Sequence, residues 1–205
     1  MIITYAEVKS ILNLSDDSYE TKIETLIPFI QDWVIDYCNN KFEVERKYPV
    51  DYYDERFTHR DVIYLYTNTI SFDSATKTIT DSDSNFINAG FKVGFSIKIE
   101  GTTYNEGIYT ISSVSAGSIV VSESLVDEDS EYYTLLTLVE FPKGIKLPVA
   151  KLIAEELKNN SVENGDRIVS ERVGDASFTY ANAVSGEYPK SILKQFKQWK
   201  RVHFV

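Results

Sequence analysis

The chain has 205 residues, 43% of them apolar and 25% charged, and a formal net charge of -10. That size fits one large domain or a small domain with a second grown into it, and the acidic balance disfavours a general nucleic-acid binder. No run approaches the roughly 20 apolar residues a membrane span needs, and one cysteine, Cys38, excludes an internal disulfide framework. The opening Met1-Ile2-Ile3-Thr4 turns polar within a few residues, so no signal peptide is expected, and the lone thiol suits a reducing compartment.

Thr4-Tyr5-Ala6-Glu7 reads as a capping box, with Tyr5, Val8, Ile11 and Leu12 as the inner face of a short helix. Asp17, with Glu20 three residues on, is expected to open a longer one. Its apolar stripe is Ile23, Leu26, Ile27, Ile30, Trp33, Val34, Tyr37 and Cys38. Pro28 removes a backbone donor inside it and is expected to kink it, and Asn39-Asn40 to stop it. The charged, tyrosine-rich stretch from Phe42 to Phe57 reads as irregular or as an extended crossing.

From Val62 the period switches to alternation. Val62 to Tyr66, Ser96 to Glu100, Gly107 to Val114, Ser118 to Ser122 and Tyr132 to Phe141 read as strands, with Gly90, Gly94, Gly101, Gly107 and Gly117 at turns. Five or six short strands suggest a small antiparallel barrel or sandwich. Pro148 is expected at a first helical position, with Val149, Leu152, Ile153 and Leu157 as the stripe and Asn159-Asn160 as the end. Arg167 to Tyr180 reads as a hairpin turning at Val173-Gly174-Asp175-Ala176, then a flexible Ala183 to Glu187. Tyr188-Pro189 opens a last helix with Ile192, Leu193, Phe196 and Trp199 on one side and Lys190, Lys194, Lys197 and Arg201 opposite. The expected fold class is therefore α+β: residues 1–61 and 142–205 form a discontinuous helical bundle, and 62–141 an inserted β domain.

No catalytic constellation emerges, and no enzyme, cofactor or metal is expected. The histidines, His59 and His203, have no partner at metal-ligand spacing. The glycines match neither phosphate-binding pattern, and no GxSxG elbow occurs. Asp81, Asp83 and Asn85 alternate like calcium ligands, but an EF-hand would need Gly and Glu where Phe86 and Lys92 stand. Two features point to interaction. Tyr52, Tyr53, Tyr64, Tyr66, Tyr132 and Tyr133 are a candidate binding face, because tyrosine joins a large apolar body to a polar tip. Acids crowd the first helical region and the β module, including Asp127, Glu128, Asp129 and Glu131. The C-terminal stretch instead carries Lys190, Lys194, Lys197, Lys200 and Arg201. That stretch reads either as an ordinary amphipathic helix packed on its own core or as one that docks on an acidic partner, with Phe196 or Trp199 as anchors.

Two stretches carry a resemblance to a known family. Tyr5-Ala6-Glu7-Val8-Lys9 through Asp32-Trp33-Val34-Ile35-Asp36-Tyr37-Cys38-Asn39-Asn40-Lys41-Phe42 is one. Ser170-Glu171-Arg172-Val173-Gly174-Asp175-Ala176-Ser177-Phe178-Thr179-Tyr180, followed by Tyr188-Pro189 and a basic helix, is the other. In these the chain resembles the head–tail connector (adaptor) proteins of long-tailed bacteriophages, over about half its length. The β module is a departure, since compact members lack one of that size. Its Phe91-Lys92-Val93-Gly94-Phe95-Ser96-Ile97 and Asn105-Glu106-Gly107-Ile108-Tyr109-Thr110-Ile111 segments look similar to small β domains of phage structural proteins.

The resemblance implies a non-catalytic virion protein in the neck, made in the bacterial cytoplasm. It would form a ring, usually of twelve copies, between the portal and a stopper or tail-completion protein. Double-stranded DNA would pass through without sequence-specific binding, and no membrane is involved. Lys190, Lys194, Phe196, Lys197, Trp199, Lys200 and Arg201 would then dock on the portal. The hairpin with Arg172, Val173, Gly174 and Asp175 would touch a ring neighbour or the next component. The alternative is a non-catalytic binding module whose β domain recognises a protein or carbohydrate.

Overall fold

The computed structural model describes residues 1–45, 62–129, 133–159, 170–173, 176–179 and 188–201. His59, His203, Tyr52, Tyr53, Glu131, Tyr132, Gly174, Asp175 and the Ala183 to Glu187 segment lie outside these residues. The chain is α+β, and it divides into two compact units: Met1 with Lys41–Phe141, and Ile2–Asn40 with Pro142–Val205.

In the second unit, α1 (Tyr5–Leu12) starts on the expected capping box. Thr4 Oγ1 accepts from the Glu7 N–H at 3.3 Å, and the Glu7 carboxylate accepts from the Thr4 N–H at 3.1 Å. α2 (Glu20–Cys38) runs on through Pro28. Asp17 does not cap it: Tyr19 occupies the cap position, and the Asp17 carboxylate is taken by the Tyr5 hydroxyl and Lys9 instead. Asn39 ends the helix in the left-handed region at φ 46°, which short polar side chains tolerate. The inner face of α2 buries Ile23, Ile27, Ile30, Val34 and Cys38, while Trp33 and Tyr37 are half-buried. The buried Gln31, missed by the stripe, accepts the Ile2 N–H at 2.8 Å.

α4 (Lys146–Asn159) begins two residues before Pro148, continuing a 3-10 turn at Lys143–Ile145. Pro148 still falls in the first turn, where its missing N–H has no intrahelical partner to lose. α4 packs on α1, α2 and α5 (Lys190–Leu193), burying Val149, Leu152 and Ile153. The last helix is not one continuous α-helix: α5 gives way to a 3-10 helix at Lys194–Trp199. Before it, β9 (Ser170–Val173) pairs antiparallel with β10 (Ala176–Thr179) in the expected hairpin register, Val173 opposite Ala176.

The first unit is one eight-stranded antiparallel sheet. Its strands are β1 (Tyr64–Thr67), β2 (Ile70–Asp73), β3 (Thr78–Asp81), β4 (Ser96–Glu100), β5 (Gly107–Val114), β6 (Ser118–Val121), β7 (Glu128–Asp129) and β8 (Thr134–Val139). The spatial order β1-β8-β4-β5-β6-β3-β2-β7 leaves β1 and β7 at the two ends, so the sheet is open, and of the barrel or sandwich that the strand count suggested the closed barrel is not formed. β5 is the corner. Its first half pairs with β4 and its second with β6, and a register shift falls between Ile111 and Ser113. Such bulges bend a strand. The bend lets the sheet curl over one apolar cluster that includes Ile79, Ile97, Ile119, Leu136, Leu138, Phe86 and Phe91. The last two come from α3 (Phe86–Ala89) and the residue after its Gly90 cap. Val44 joins this unit early: its N–H donates to the Leu138 carbonyl at 3.0 Å, which places the start of the β unit at Lys41, ahead of residue 62.

Candidate interaction surfaces

The C-terminal segment is held by an aromatic cluster on α2. Trp33 and Tyr37 stack with ring centroids 4.8 Å apart, and Tyr188 meets Trp33 edge-on at 4.8 Å. Phe196 meets Trp33 at 6.3 Å, Tyr37 at 6.1 Å and Trp199 at 6.1 Å. Asn40 Nδ2 donates to the Trp199 carbonyl at 3.0 Å, and the Arg201 N–H to the Cys38 carbonyl at 2.9 Å. The Trp199 ring packs over Gly144, where a Cβ would stand at an ordinary contact distance of 3.4 Å. Burial pushes the Cys38 thiol up to about 11. Burial, and then a hydrogen bond to Glu156, raise the Tyr188 phenol well beyond its usual range.

These contacts divide the sequence-predicted docking set in two. Phe196 is 0% exposed and Trp199 half-buried, so both fasten the segment to its own unit, and Phe196 offers no anchor to a partner. Lys200, though exposed, turns its ammonium onto the Tyr37 ring, 3.6 Å from the centroid. Lys190, Lys194 and Lys197 face solvent and make no ion pair with a described residue. They are the part of the set available for steering. Arg172 and Val173 lie on β9, described by its backbone pairing.

In the β unit, Tyr64 and Tyr66 project from one side of β1, and Tyr66 stacks on Tyr133 with centroids 5.0 Å apart. Tyr66 and Tyr133, at 60% and 56% exposed, and the exposed Tyr64 are the described members of the expected tyrosine face. The acids here serve turns. Asp81, buried, accepts from Thr69 Oγ1 at 2.5 Å, from the Asp83 N–H at 3.1 Å and from the Asn85 N–H at 2.8 Å, so its alternation with Asp83 and Asn85 braces a loop. Glu128 accepts from the Thr103 N–H at 2.6 Å and Asn105 Nδ2 at 2.8 Å. Burial pushes its carboxyl up, but these bonds outweigh it and hold it below the usual range. Asn105, fully buried, was invisible in the sequence because its partners lie more than twenty residues away, at Val126 and Glu128.

Among the described residues no group of three or more His, Cys, Asp or Glu is placed to hold a metal ion, and no helix is long and apolar enough to cross a membrane. No family model matches the chain, and no curated protein matches it.

Proposed function

We propose that the chain is a structural component of a phage neck: a connector subunit that joins copies of itself into a ring between portal and tail-completion protein, with DNA passing through. The supporting observation is the element order of the helical unit. A short helix followed by a long one, and a two-stranded hairpin followed by a short basic helix, fall on the two stretches that carry the resemblance, while the β unit between them remains the departure from it. Lys190, Lys194 and Lys197 supply the steering contact to an acidic surface of that assembly. The net charge of -10 suits a conduit that repels phosphates and lets a duplex slide. The test is to decorate virions of the encoding phage with an antibody against the chain. Label at the head–tail vertex is expected, and label elsewhere, or none, ends this reading.

A second reading is a binding module whose β unit recognises a carbohydrate or protein through the stacked Tyr66 and Tyr133 with Tyr64 beside them. Under it, Tyr66→Ala abolishes ligand binding by the β unit without touching assembly.

A further inference from the structure

The helical unit carries two exposed faces of opposite sign. α2 has eight exposed residues, Glu20, Thr21, Glu24, Thr25, Pro28, Phe29, Asp32 and Asp36: four acids, no cation, and a phenylalanine. Phe29 is 68% exposed on the solvent side of a helix whose other side is well buried, although Phe is among the residues most often found inside. Among the described residues of the last segment six are exposed, Lys190, Ser191, Lys194, Lys197, Gln198 and Lys200: four cations and no acid. Glu20, Glu24 and Asp36 make no ion pair with a described residue, and neither do Lys190, Lys194 and Lys197. The two faces do not neutralise each other within one copy.

We propose that they do so between copies: the α2 face of one chain seats on the lysine row of the next, with Phe29 among the lysine side chains. This deepens the ring reading above and rests on it. A head-to-tail contact needs two different, complementary patches on one subunit, and repeats itself around an axis. The lysine row is shorter than the face it would seat on: Glu20 to Asp36 covers about 24 Å at 1.5 Å per residue, and Lys190 to Lys197 about 12 Å over mixed α and 3-10 geometry. A lysine stem covers apolar surface while its ammonium rests on a ring. The same unit already shows that contact, Lys200 on Tyr37. Net charge opposes association of identical acidic chains, but range decides which term wins. At 0.1 M salt the Debye length is about 10 Å, so repulsion between whole molecules is screened more than ion pairs in contact.

The test is a charge swap in the full chain, read by sedimentation from 10 μM to 1 mM in about 0.1 M salt, a regime chosen for the screening length above. The native chain should self-associate. Glu20→Lys/Glu24→Lys/Asp36→Lys and Lys190→Glu/Lys194→Glu/Lys197→Glu, all exposed positions, should each weaken association at least tenfold with an unchanged circular dichroism spectrum. Mixing the two variants should restore it, since each reversed face then meets its complement. Phe29→Ala should weaken it about tenfold. A native chain that stays monomeric at 1 mM overturns the proposal, as do reversals without effect or a mixture that stays dissociated. Any of these with vertex labelling intact removes this contact alone and gives the lysines to another acidic partner. Absent vertex labelling with the swap rescued removes the neck reading alone.

Discussion

Burial keeps the Cys38 thiol protonated up to about 11, against 9.0 for the free group, and raises Tyr188 as well. A group whose folded pKa lies above its unfolded one holds its proton better in the native state. Its stabilisation is therefore complete below the unfolded pKa and lost as pH climbs to the folded one. The helical unit should weaken progressively between pH 9 and 11. Both tryptophans, Trp33 and Trp199, belong to this unit, so indole fluorescence reports its unfolding separately from the β unit. Urea midpoints by fluorescence that stay level across that window would refute the assignment. Among single side chains, Phe196 is the keystone: it is wholly buried and meets three other rings. Phe196→Ala should cost about 3–5 kcal/mol, and Trp33→Ala, from a half-buried position, about 3 kcal/mol, both measured by the same fluorescence. Gly101 sits at φ +86°, and a Cβ there would stand 2.7 Å from the Tyr133 carbonyl oxygen. Gly101→Ala should therefore cost about 1–3 kcal/mol through strain and displaced backbone, seen as a lower midpoint of the β unit by circular dichroism.

At the scale of elements, the C-terminal segment is both a surface and a structural strap. It buries Ile192 and Phe196 while exposing its lysines. Deleting residues 188–205 should thus unfold the helical unit, with red-shifted fluorescence of the remaining Trp33. Loss of partner binding by the truncated chain would consequently say nothing about docking, and a native-like spectrum would show that the strap is dispensable. The sequence revealed this amphipathic split and also the spans of β4 and β5, because those depend on residues a few positions apart. It did not reveal the change from α to 3-10 geometry after Leu193, nor β2 and β3. The latter are four-residue runs, Ile70-Ser71-Phe72-Asp73 and Thr78-Ile79-Thr80-Asp81, too short for alternation to stand out from Thr- and Ser-rich turns. Phe29 was passed over because a periodic stripe draws attention to the buried face of a helix. Open sheet versus barrel was equally beyond reach. It depends on β8 lying between β1 and β4 and on the bend in β5, pairings between segments that no local pattern encodes.

For the whole molecule, the decisive property is that the β unit closes on itself. Among the described residues, its apolar cluster and the half-buried apolar side chains packed against that cluster all come from Lys41–Phe141. Its two ends also meet. The Glu140 N–H donates to the Phe42 carbonyl at 2.9 Å, and the Phe42 and Phe141 rings lie 5.2 Å apart. A unit whose ends adjoin can sit inside another chain at little entropic cost, because the loop it closes is short from the host's side. Residues 41–141 expressed alone should therefore fold, giving a dispersed amide spectrum and a single urea transition. The same transition should be found in the full chain by tyrosine-sensitive circular dichroism, apart from the tryptophan-reported one. Removing the pair of rings should loosen the closure: Phe42→Ala, at a buried position, is expected to lower the midpoint of the isolated unit by the equivalent of about 3 kcal/mol. A fragment that collapses without a cooperative transition would mean that this cluster is not a sufficient core.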